Sequence, residues 1–146
     1  MPETMATMTT ELGYLFATTV LVAVLWIPYI AGSVISAGLL TREEYRVGRH
    51  VEFPPWVRRA DRAHINLVEQ FGPFAALVLI AHMTGVHNAV TVWCVAIFFW
   101  ARIVHAVVYL AGFGIFMIRT VAFTVAFTAL LVYAWQIYLY AGPAGA

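Results

Sequence analysis

Arg59, Arg62, Asn66 and Glu69 lie close together in the stretch RADRAHINLVEQFGPF. At about 100° per residue from Arg62, Arg59 falls near +60°, Asn66 near +40° and Glu69 near −20°, one narrow helical face. In ARIVHAVVY the same construction puts Arg102, His105 and Tyr109 at about 0°, −60° and −20°. Arg119 adds a fourth arginine at the start of a later apolar run. Arginines, an amide and a carboxylate brought to one place offer charge-assisted hydrogen bonds to an anion.

Both stretches run into segments fit for lipid, where an ionisable group costs about 2.5–3.5 kcal/mol on insertion scales unless it pairs or lines a wet cavity. The clustering therefore points to a shared interior site. Glu69 is expected to neutralise an arginine, with Asn66 supplying donors and acceptors, and the remaining arginines leave a pocket that favours an anion. Two simpler accounts stay open: Arg59 and Arg62 snorkel to the interface, or a Glu69–Arg102 pair only fixes helix packing. His64 falls near 200° and faces elsewhere. With His82 and His87 it is expected at interfacial or packing positions. No spacing suggests a metal site, and Cys94, the only cysteine, reads as an inert core residue.

The elements that must carry these residues follow from composition. Of 146 residues 63% are hydrophobic and 10% charged, against the roughly half apolar share of soluble domains. Apolar runs exceed the ~20 residues that a helix needs to cross a bilayer, and the alternation of a β-barrel is absent. The expected fold is an all-α integral membrane protein, an antiparallel bundle of four transmembrane helices forming one domain over residues 1–146. The helices are expected at about 11–39, 55–83, 88–111 and 116–140, broken at TGVHN and at Gly112 and Gly114. Glu3 and Glu11 precede the first helix without any basic residue, unlike a signal peptide, so this helix is expected to be retained.

All eight basic residues are arginine, and six of them lie between Arg42 and Arg62. Positive-inside bias puts the first and third connections in the cytoplasm and both termini on the other side. A net charge of +1 gives nucleic acid no electrostatic reason to bind. The first connection, LTREEYRVGRHVEFPPW, reads as a polar loop, solvated or covering the pocket entrance. Pro28 and Pro73 are candidate kink sites, and Gly32-x-x-x-Ser36 is a weak packing signal. Trp135, Tyr138 and Tyr140 read as an interfacial belt, while Trp26, Trp93 and Trp100 read as core or lipid-facing.

The motifs RAHINLVE, ARIVHAVVY and IRTVAF, in that order, resemble the MAPEG family, membrane-associated proteins of eicosanoid and glutathione metabolism. The resemblance covers about Trp56 to Tyr133 and is to the bacterial branch, which implies the bacterial inner membrane. It implies a homotrimer binding glutathione as co-substrate between adjacent subunits, near the cytoplasmic side. The family's binding residues on the second helix fall on Arg62, Asn66 and Glu69, and those on the third on Arg102, His105 and Tyr109. The arginine that stabilises the glutathione thiolate, the catalytic residue, falls on Arg119.

The implied chemistry is physically sensible, because a guanidinium near sulfur raises the thiolate fraction and the thiolate is the nucleophile. The implied function is a membrane-bound glutathione-dependent transferase or peroxidase acting on hydrophobic electrophiles or lipid hydroperoxides that arrive from the bilayer. The alternative is a non-catalytic membrane lipid-binding or scaffold protein of the same fold. A transporter ranks last, since inverted repeats and broken helix pairs are absent. Three positions depart from the family pattern: Ile65 where a further arginine is common, Thr120 where several relatives have serine, and Phe123 where some enzymes have tyrosine.

Overall fold

The computed structural model describes residues 8–112 and 117–142, and contains five helices among them. These are α1 (Thr10–Ala37), α2 (Arg42–Val47), α3 (Pro55–Thr84), α4 (Ala89–Ala111) and α5 (Ile118–Ala141). All but α2 are long and apolar enough to cross a membrane. Glu3, Gly114 and the expected helix start at residue 116 lie outside the described residues.

Local sequence chemistry sets the helix ends. Thr9 accepts the Leu12 N–H at 3.3 Å and starts α1. Pro55 opens α3, where its missing N–H goes unused. The Asn88 side chain accepts from the N–H groups of Val90 and Thr91, and the Thr91 hydroxyl accepts the Asn88 N–H, closing a capping box at α4. Gly85 and Gly112 end α3 and α4 in the left-handed conformation that glycine adopts without penalty. Both α1 and α3 run unbroken through Pro28 and Pro73.

The first connection differs from the expected loop. Thr41 and Glu44 form a capping box, with the Thr41 N–H donating to Glu44 Oε2 at 2.8 Å, and α2 forms between them and Gly48. Arg49 then closes the segment over the end of α1. It donates to Glu44 Oε1 at 2.9 Å and to the carbonyls of Gly38 and Leu39 at 3.0 and 2.9 Å. Hydrogen bonds from Arg49, and then from the Thr41 backbone, pull the Glu44 carboxyl down to a pKa of about 2.

Helices α3 and α4 each pack against the other three long helices, while α1 lies mainly on α3 and α5 mainly on α4. The main core joins α3, α4 and α5, where the rings of Phe74 and Phe98 stack at 4.1 Å and Val78, Val95 and Tyr133 close around them. Gly32 is buried against α3, and a Cβ there would come within 2.5 Å of the Trp56 ring and 2.7 Å of Val57. This contact involves Gly32 alone, because Ser36 is exposed. A buried carboxylate ties α1 to α4: Glu11, 3% exposed, accepts the Thr91 hydroxyl at 2.8 Å and lies 3.3 Å from His87 Nδ1. His87 thus packs at a helix junction. Cys94 is buried, and Trp26, Trp93 and Trp100 face outward, as do Trp135, Tyr138 and Tyr140.

Candidate functional site

Arg102 is the most buried charge among the described residues, 1% exposed on the inner face of α4. Its Nη2 donates to Asn66 Oδ1 at 2.8 Å and its Nη1 to Gln70 Oε1 at 3.2 Å. The expected partner, Glu69, is exposed on α3, and no carboxylate lies within 4 Å of Arg102 among the described residues. Helix geometry explains the difference. On α3 the buried residues Ala63, Leu67 and Phe74 fall at about 100–140° from Arg62, so Asn66 at about 40° and Gln70 at about 80° lean toward α4. Glu69, near −20° on the same scale, points away from it. The direct Glu69–Arg102 pair is therefore corrected, although Glu69 still acts on the guanidinium through space, and Gln70 is the residue that the pattern missed.

Tyr109 stands at the meeting point of the remaining charges. It lines three adjoining clefts at the end of the bundle formed by the start of α3, the end of α4 and the start of α5. The first, about 320 Å³, is bounded by Pro55, Arg58, Arg59, Arg62 and Arg119. The second, about 400 Å³, is bounded by Asp61, Arg62, Ile65, Asn66 and Glu69. The third, about 340 Å³, is bounded by His105, Arg119, Thr120 and Phe123. The clefts thus contain all the expected binding residues except Arg102, which lies behind Asn66. Ile65 occupies the wall of the second with an apolar side chain, and His64 lines none of the three.

The cations are held in place rather than loose. The Arg119 guanidinium sits 4.8 Å from the Tyr109 ring centroid, and that of Arg102 5.9 Å from the Phe123 ring. Arg59 packs on Gly112 at the C-terminus of α4, where a Cβ would come within 2.9 Å of its Cζ. That end of a helix dipole favours a cation. Arg119 has the opposite setting. It lies in the first turn of α5, whose N-terminus carries no side-chain cap, so the positive end of the dipole and the guanidinium repel each other and together attract an anion.

Several polar atoms here have no protein partner among the described residues: Arg102 Nε, His105 Nδ1 and Arg59 Nε. His105 is 4% exposed, with its ring 5.7 Å from that of Tyr109 and 6.5 Å from that of Phe123. Phe123 thus presents an apolar ring to both Arg102 and His105. Orphaned buried groups are uncommon in folded proteins and call for a water or a ligand. No group of three or more potential metal ligands occurs among the described residues.

A search of curated proteins returned no match for the chain. The family model of the MAPEG family matches residues 16–139, from the first turns of α1 to the end of α5, and so includes every residue of the arginine clefts. With four membrane-length helices and a match across most of its length, the chain belongs to the MAPEG family, whose members are membrane proteins associated with glutathione.

Proposed function

We propose that the protein is a membrane-bound glutathione-dependent transferase or peroxidase acting on hydrophobic electrophiles or lipid hydroperoxides. The observation that carries this reading is the junction at Tyr109, where Arg62 and Arg119 converge from two helices on clefts that together hold four arginines and two carboxylates. Glutathione carries two carboxylates, one ammonium and a thiol. Arg62 and the arginines of the first cleft suit the carboxylates, and Asp61 and Glu69, unpaired with Arg102, suit the ammonium. Arg119 then serves the sulfur, with the α5 N-terminus adding to its field.

In transfer, the thiol proton leaves to solvent and the thiolate attacks an electrophilic carbon. A carbon–sulfur bond forms while the bond to the leaving group breaks, and its electron pair departs with that group. With a hydroperoxide, the thiolate attacks the outer oxygen and the O–O bond breaks. The alkoxide takes a proton to become an alcohol, and a second glutathione converts the resulting sulfenic acid to disulfide and water.

The reading includes a homotrimer in the bacterial inner membrane, its arginine-bearing end toward the cytoplasm and both termini on the other side. Support for assembly is that Arg62, Glu69 and Arg119 are exposed on a single chain, a costly arrangement for charges near lipid unless a neighbouring subunit covers them. The test is glutathione-dependent thiolate absorbance in detergent. Arg119→Ala should remove it while the assembly survives, and undiminished thiolate in that variant would refute the role of Arg119.

A second reading, lipid binding without turnover, is favoured by an apolar cleft of about 420 Å³ between α4 and α5, lined by Trp93, Cys94, Ile97 and Thr128 among others. Lipid binding with neither conjugation nor stabilisation by glutathione would select it.

A further inference from the structure

Arg102 is buried between two neutral amides, and this arrangement decides where positive charge is available. A guanidinium has only donors, so Asn66 and Gln70 must both turn their carbonyl oxygens toward it, as the distances of 2.8 and 3.2 Å indicate. The amide N–H₂ groups then face away, and that of Asn66 belongs to a residue lining the second cleft. The Nε–H of Arg102 is buried without a partner. The groups left over on the guanidinium and on the two amides that hold it are therefore donors, and no carboxylate is hydrogen-bonded to it among the described residues, Glu69 acting only at longer range.

We infer that Gln70 is a positioning residue that holds Arg102 in place without neutralising it, so that the ligand's own carboxylate supplies the missing counter-charge. Asn66 alone would leave the planar fork free to pivot about one bond. Gln70, one turn along α3, fixes the second nitrogen and with it the direction of the remaining donors. A glutamate in the same place would hold the fork as firmly and cancel its charge. Fit and charge are thereby separable by one atom of substitution. The inference rests on the reading of the clefts as an anionic-thiol site.

The test is isothermal titration of glutathione into the detergent-solubilised full chain, over a range of salt, for wild type, Gln70→Glu and Gln70→Met. Gln70→Glu is expected to keep or raise the melting temperature while weakening glutathione at least tenfold and flattening the salt dependence of binding. A merely structural role would move stability and affinity together and leave the salt dependence alone. Gln70→Met keeps the charge but frees the fork, so affinity should fall severalfold with the wild-type salt dependence. Wild-type affinity and salt dependence in Gln70→Glu overturn the inference, as does wild-type affinity in Gln70→Met if the glutamate variant does not fold. If wild type ignores glutathione but is stabilised by inorganic sulfate, the proposed function fails and the same comparison with sulfate still decides the role of Gln70. A wild type that responds to neither overturns both.

Discussion

Arg119 and Tyr109 approach each other from different helices, with the guanidinium carbon 4.8 Å from the ring centroid. The ring is a platform that keeps an exposed arginine aimed at the clefts. Such contacts are worth about 0.5–2 kcal/mol. Tyr109→Leu should therefore reduce the glutathione thiolate yield by roughly 2- to 30-fold, at about 1.4 kcal/mol per tenfold. Tyr109→Phe keeps the ring and should stay within about threefold on the same scale. Equal losses in both variants, measured by thiolate absorbance, would assign the effect to the hydroxyl instead.

Glu11 and Thr91 lie at the other end of the bundle from the arginine clefts, joined by a buried hydrogen bond of 2.8 Å. Thr91→Val leaves the buried Glu11 carboxylate with His87 alone and opens the capping box of α4, so it should destabilise the fold by about 1–3 kcal/mol. Glutathione affinity should be unchanged in the folded fraction. Thermal melts and titration on the same preparation separate the two effects.

Gly32 offers a steric counterpart. Since a Cβ there meets Val57 and the Trp56 ring well inside contact distance, Gly32→Ala should cost about 1–3 kcal/mol through overpacking between α1 and α3. A Trp56→Ala background removes the nearer obstacle and should recover part of the loss. An unchanged melting temperature in Gly32→Ala alone would show that α1 shifts freely.

Acid should loosen the first connection before the bundle. The Glu44 pKa is lowered from 4.5 to about 2 by Arg49 and the Thr41 cap. A depressed carboxylate contributes its stabilisation in full above its unfolded pKa and loses it as pH falls through the folded value. Protection of α2 against hydrogen exchange should accordingly hold above pH 4.5 and decline toward pH 2, and Glu44→Gln should remove that dependence.

Orientation is open to direct measurement. With arginine concentrated in the first connection and the start of α3, reporter fusions at either terminus should show activity only on the non-cytoplasmic side. A cytoplasmic signal from either fusion would reverse the proposed topology.

Much of this could be read from residue order. Hydropathy and the Gly/Asn breaks located the long helices, and the 100° construction put Arg102, His105 and Tyr109 on one face of α4, where they project toward α3 and α5. The partner of Arg102 was less accessible. Choosing among Asn66, Glu69 and Gln70 requires the direction of α3's buried face, which depends on how Ala63 and Leu67 meet the neighbouring helices, and the charge of Glu69 argued for the wrong neighbour. The α2 helix had a readable sign in the Thr41–Glu44 capping-box spacing, hidden beneath the charged character of the segment. The Glu11–Thr91 bond joins residues 80 positions apart, and no local pattern encodes such a meeting.

Helix α1 supplies no residue to any of the three clefts. It is pinned at one end by Glu11, farther along by Gly32 and at its C-terminus by Arg49, and much of its remaining surface is exposed and apolar. The chain thus separates adaptation from chemistry: α1 can be retuned to a thicker, thinner or differently composed membrane by changing its lipid-facing side chains, while the arginine network on the other three spans keeps its geometry.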